Sequence, residues 1–157
     1  MKSTGFSTIE ALAATTILMV GVAALSQLAV LATARAASAR AATMTLLLAE
    51  QKMEQLRSAP VQVSPPGALG ADTVGWVDYL DATGRAVAGV AAAPRANAAY
   101  IRRWAVAPVP GTGGATFVFQ VLVTRWKNRG AADVPPAVTR LPDEARLVSA
   151  LTPGVGP

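Results

Sequence analysis

Apolar and polar positions fall into two regimes along the chain. From residue 11 to residue 34 no Asp, Glu, Lys or Arg interrupts a run built from Ala, Leu, Val, Ile, Met and a few small polar residues, a stretch of 24 residues. At about 1.5 Å of rise per residue this predicts a helix of roughly 36 Å, enough to cross a hydrocarbon core of about 30 Å. Nothing in the next segment stops it, because the first proline is Pro60 and the last glycine before it is Gly21. Past residue 34 the pattern turns amphipathic: Ala42, Leu46, Ala49, Met53 and Leu56 recur at helical steps as one apolar stripe, with Arg40, Glu50, Lys52, Glu54 and Arg57 around it. The stripe lasts too few heptads for a free coiled coil, so it is expected to face a core. Helix is therefore expected over residues 7–57, ended by Ser58, Ala59 and Pro60.

The remainder reads as strands and turns. Residues 61–74 shift to Pro, Gly, Ser and Ala, including Pro65, Pro66, Gly67 and Gly70, a connecting loop. Residues 76–80 are a short apolar and aromatic run, and Asp81, Ala82, Thr83 and Gly84 supply a hairpin turn into residues 85–90. The strongest strand signals are residues 100–107 and 116–126, joined by PVPGTGG at 108–114 and expected to pair antiparallel. In the second of them Phe117, Phe119, Val121 and Val123 share the face expected to meet the helix, and Val118, Gln120, Leu122, Thr124 and Trp126 take the other. Residues 127–136 read as loop, and 144–151 as one further strand before a Pro/Gly tail. The expected fold class is α+β: a long N-terminal helix, half membrane-spanning and half amphipathic, packed on a small antiparallel sheet of about three to five strands.

Composition narrows the chemistry. With 52% hydrophobic and 15% charged residues, the chain is more apolar than an ordinary soluble domain, and the charge-free stretch carries the excess. There is no Cys and no His, so disulfides, thiolate metal sites and the commonest general base are all missing from the inventory. A secretory signal places its apolar run of about 7 to 15 residues before the cleavage site. Here Lys2 and a short leader ending in Gly5 precede the apolar run, which is too long for a signal segment, and Glu10 stands at its mouth. A carboxylate there is costly unless it is paired.

The string KSTGFSTIEALAATTILMVGVAALSQL resembles the prepilin-type signal of the type IV pilin-like family: a short basic leader ending in Gly, then Phe, then Glu at the fifth mature position, then an apolar helix. The resemblance implies cleavage by a prepilin peptidase between Gly5 and Phe6, N-methylation of Phe6, and 152 remaining residues. It also implies a filament-assembly role for Glu10, whose carboxylate would neutralise the terminal amine of a neighbouring subunit and select one axial register. The segment LLLAEQKMEQLR, with the strings DYLD, YIRRW and TRW, is similar to V-type minor pilins. Two departures, no proline within the apolar span and no cysteine pair, point away from a major pilin and towards a minor pilin or a type II secretion minor pseudopilin.

On this reading residues 1–5 are the leader, 6–34 the transmembrane and assembly helix, 35–59 its amphipathic continuation, and 60–157 a periplasmic or extracellular sheet domain. The implied partners are the prepilin peptidase, other pilins or pseudopilins along the helix, the inner-membrane assembly platform, and membrane lipid before assembly. Small residues such as Ala13, Ala14, Gly21, Ala23 and Ala24 would let neighbouring helices approach closely. No cofactor or metal is expected. The N-terminus also fits a plain single-pass anchor on a periplasmic binding protein that does not polymerise, in which Glu10 is an interfacial charge. That alternative keeps residues 1–5, whereas a prepilin loses them.

Charge adds one further candidate. Without Lys2, 13 basic residues face 9 acidic ones, a net charge of +4. Arg102, Arg103, Arg125, Lys127 and Arg129, near Trp104 and Trp126, could form a basic patch able to hold DNA phosphates. A solvated sheet face with the tryptophans in the core explains the same residues. Asp72, Asp78, Asp81, Asp133, Asp143 and Glu144 are the candidates for a catalytic acid pair, but they fall in expected loops and strand ends with no His or Cys beside them. A filament subunit is expected, not an enzyme.

Overall fold

The structure, a computed structural model, describes residues 7–87, 97–126 and 143–152. The expected leader, Phe6, residues 88–90, the 127–136 loop and the C-terminal tail from 153 lie outside the described residues. Among the described residues one helix, α1 (Thr8–Ser58), precedes four strands: β1 (Val77–Leu80), β2 (Tyr100–Pro108), β3 (Phe117–Arg125) and β4 (Ala145–Leu151). The expected α+β layout is observed. The chain divides into two compact units between Ser38 and Ala39.

The first unit holds the N-terminal part of α1. Its helix is continuous because Ala and Leu are strong helix formers and neither Pro nor an interior kink-prone pair occurs. Every described residue up to Arg40 is exposed, and Ile17, Leu18, Met19 and Val20 keep between 66% and 73% of their surface open. The helix is long and apolar enough to cross a membrane.

The second unit is a four-stranded antiparallel sheet in the order β1-β2-β3-β4, with the last turns of α1 against one face. β2 and β3 pair from Tyr100↔Arg125 to Pro108↔Phe117, and β4 adds to β3 from Phe117↔Leu151 to Val123↔Ala145. Phe119, Val121 and Val123, buried to 1% exposure or less, pack with Leu48, Ala49 and Met53 of the helix and with Leu80 and Trp104. This is the face that alternation predicts. Each such side chain removed from water is worth about 1.5–3 kcal/mol before ordering costs. On the opposite face Val77, Tyr79, Ala98 and Ile101 form a second cluster with Trp126, whose ring meets Tyr79 edge-on at 6.0 Å.

The turn after β1 is locked by side-chain chemistry. Asp81 Oδ1 accepts from Thr83 N at 2.8 Å, Thr83 Oγ1 at 2.7 Å and Arg85 N at 3.0 Å. These bonds, the Thr83 hydroxyl first, hold the Asp81 carboxyl below its ordinary range. Gly84 closes the turn at φ 83°, and a Cβ there would lie 2.8 Å from Leu48 Cδ2. The positive φ favours glycine there, and any Cβ would also push the Leu48 and Met44 side-chain ends aside.

The helical stripe is rotated from the expected one. Ala49 and Met53 are buried and Leu56 is half-buried, but Leu46 is 42% exposed, and the buried positions include Ala41, Thr45, Leu48 and Lys52. Lys52, expected among the solvent-facing charges, lies inward because its stem and ammonium cover Trp104 and its charge meets Asp78.

Candidate functional site

The expected processing site, Gly5 and Phe6, lies outside the described residues. Ser7 precedes α1, and its Oγ accepts from Ile9 N at 3.4 Å. Glu10 reaches back, its Oε2 accepting from Ser7 N at 3.1 Å. The backbone of Ser7 accepts from Glu10 N and Ala11 N. Glutamate three residues after the cap serine supplies the glutamate half of a capping box, while the Ser7 hydroxyl caps the second amide of the helix and not the third. This second role for Glu10 is readable in the Ser-Thr-Ile-Glu spacing. The carboxylate lies in the first turn, where the helix dipole favours negative charge.

Among the described residues, the basic candidates Arg102, Arg103 and Arg125 are not brought together as an exposed patch. Arg102 and Arg103 are neighbours on β2 and so point to opposite faces of the sheet, and they are 7% and 6% exposed. On the helix face, Arg102 donates from Nη2 and Nε to Asp78 Oδ2 at 2.8 and 3.2 Å, and from Nη1 to Leu48 O and Gln51 Oε1. Lys52 Nζ joins the same carboxylate at 3.6 Å and sits 3.4 Å from the centroid of the Trp104 ring. Burial, more than the neighbouring Arg102, pulls the Lys52 pKa below its ordinary 10.5, and Asp78 partly restores it. On the other face, Arg103 donates to Asp72 Oδ1 at 2.6 Å while Tyr79 Oη donates to Asp72 Oδ2 at 2.8 Å. Arg125 lies 3.4 Å from Asp143.

At Arg102 and Arg103 the structure departs from both readings, since the two make neither a phosphate-holding patch nor a solvated face; the expected placing of the tryptophans in the core holds. The two arginines are structural cations, each buried with a carboxylate. Lys127 and Arg129 lie outside the described residues. The tryptophans serve the core. Trp104 is 7% exposed, its ring 6.2 Å from that of Trp76. Both border a recess of about 280 Å³ with Leu56 and Phe119, and among the described residues no charged side chain lines it.

The acidic candidates are likewise dispersed or committed. Asp72 and Asp78 hold arginines on opposite faces, Asp81 builds a turn, and Asp143 meets Arg125. Asp133 lies outside the described residues. Among the described residues no three acidic side chains converge as metal ligands. What the described chain offers as a candidate site is therefore the capped start of α1 and the exposed apolar surface behind it. No protein-family model, no curated protein and no solved structure matches this chain.

Proposed function

We propose that the chain is a prepilin-type subunit, a minor pilin of a type IV pilus or a minor pseudopilin of type II secretion, and not an enzyme. In this reading a prepilin peptidase cuts between Gly5 and Phe6 and Phe6 is N-methylated. Residues 11–34 hold the subunit in the inner membrane with the sheet domain in the periplasm. An assembly platform then transfers it into a filament, where it initiates assembly or occupies the tip.

One observation carries the reading: Gly5, Phe6 and Glu10 stand in prepilin order directly before a 24-residue charge-free stretch. The exposure of that stretch on every side supports it. A helix apolar all round needs a cover of lipid or of other helices, and exchanging one for the other is inexpensive because both are apolar. In the filament, Glu10 would exchange its own Ser7 N–H for the terminal amine of a neighbour.

N-terminal mass measured with and without a co-expressed prepilin peptidase tests this. A peptidase-dependent species beginning at methylated Phe6, abolished by Gly5→Leu, is expected. Glu10→Ala should be processed yet fail to enter filaments. An intact Met1, or a cut after residue 34, would overturn the proposal in favour of a tethered or secreted protein.

A further inference from the structure

The polar side chains between residues 11 and 34 are Thr15, Thr16, Ser26, Gln27 and Thr33. The hydroxyls are satisfied by the helix that carries them. Thr15 Oγ1 donates to Leu12 O at 2.9 Å and Thr16 Oγ1 to the same carbonyl at 2.8 Å. Ser26 Oγ donates to Val22 O at 2.9 Å, and Thr33 Oγ1 to Val30 O at 2.8 Å. Gln27 differs. It is exposed, and its amide has no hydrogen bond among the described residues.

If residues 11–34 span the membrane, Gln27 lies roughly 10 Å from one end of the span and roughly 24 Å from the other. That position is inside the hydrocarbon, where no water reaches the amide and unmade hydrogen bonds are costly. Its surroundings on the helix are unusual as well. Seven-residue steps from Gln27 reach Ala13, Val20 and Ala34, and Thr16, Ala23 and Val30 complete a heptad seam. No Leu, Ile or Met falls on this line, whereas Leu12, Ile17, Leu18, Leu25 and Leu28 all lie off it. The seam is low in relief, which allows close backbone approach, and it carries one amide.

We propose that Gln27 pairs two copies of this chain side by side in the membrane, amide to amide, along the seam of Val20, Ala23 and Val30. The proposal rests on the membrane-span reading above. A carboxamide donates and accepts, so it is its own complement. Copies inserted in one orientation run parallel, and a two-fold axis between them sets each Gln27 against its counterpart. No charged residue lies between positions 11 and 34 to oppose the contact. A single polar residue at such a position fixes register and copy number in parallel helix pairs.

The absence of cysteine allows a direct test with the full chain, expressed without other filament subunits. Single Ala23→Cys and Val30→Cys variants are oxidised in isolated membranes beside Leu18→Cys and Leu25→Cys, which lie on the opposite side of the helix. Disulfide-linked dimer is expected from the first pair and little from the second. Gln27→Leu in the Ala23→Cys background should lower the dimer yield about three- to tenfold, and Gln27→Asn should largely preserve it. Alkaline extraction of the same membranes reports insertion separately. An inserted chain with no dimer, with equal dimer from all four positions, or with dimer indifferent to Gln27→Leu overturns the pairing alone. Dimer that forms only with a second, different subunit overturns it as well, by giving the amide another partner. Loss of the unmodified chain from the membrane fraction overturns the span, and the pairing with it.

Discussion

The N-terminal helical unit and the sheet unit satisfy their polar groups in different ways. In the first, hydroxyls donate to carbonyls three or four residues back and every described side chain is exposed. In the second, partners come from far along the chain: Arg102 with Asp78, Arg103 with Asp72, and Ser64 with the backbone of Val106. The first unit is therefore complete as secondary structure and incomplete as a surface. The second carries its own cover and its own counter-charges. Ordering in one is set by its surroundings, and in the other by internal packing.

Equal truncations should expose this contrast most strongly. Phe119→Ala empties the centre of the core and is expected to cost about 4 kcal/mol, a large part of an ordinary domain's stability. Leu25→Ala, on the exposed helix, should leave the same transition unmoved. Denaturant titration of the full chain in detergent, followed by tryptophan fluorescence, measures both, since Trp76 and Trp104 lie at the core. Removing a counter-charge comes next. Asp78→Asn leaves Arg102 and Lys52 without their shared carboxylate and should cost about 3 kcal/mol in the same titration.

Lys52→Met sharpens the comparison through pH. At neutral pH this change should stay within about 1 kcal/mol of the parent, because a desolvated cation is exchanged for an apolar chain of similar length. The folded-state pKa of Lys52 lies below 10.5, so above that lowered value the unfolded chain holds the proton more tightly than the folded one. Parent stability should therefore rise relative to Lys52→Met as pH climbs from the lowered pKa to about 10.5. A flat difference between the two pH curves would contradict this. The smallest effect belongs to the helix cap: Ser7→Ala should cost about 0.5 kcal/mol and act only locally. Amide exchange should quicken at Ile9 and Glu10 with no change in the sheet.

Most of the fold was legible because it is written in local periodicity. β2, β3 and β4 begin and end within a residue of the expected bounds, and the alternation of Phe119, Val121 and Val123 picks the buried face. The helix cap at Ser7 and Glu10 was readable in the Ser-Thr-Ile-Glu spacing, although Glu10 at the mouth of an apolar span also reads as an interfacial charge. The fates of Arg102, Arg103 and Lys52 were not legible in single segments. They depend on the register that sets Asp78 opposite Arg102 and brings Asp72 to the far face. Opposite charges on neighbouring expected strands were the available clue, and a charge surrounded by apolar residues reads as exposed until its partner is located. The rotated stripe has the same origin, since Lys52 faces inward only because Trp104 and Asp78 receive it.

The strand order β1-β2-β3-β4 bears on how the chain is made. Every strand pairs with the one that precedes it, so a chain emerging with its N-terminus first meets each partner already in place. No strand has to wait for a later segment or slip between two earlier ones, and the sheet can grow along one edge at the pace of emergence. The last of the described strands to arrive, β4, forms one edge of the sheet, opposite β1. A polypeptide released early would lack its edge while keeping the β1–β3 order, and such a stub would present β3 as an open template to whatever strand came next.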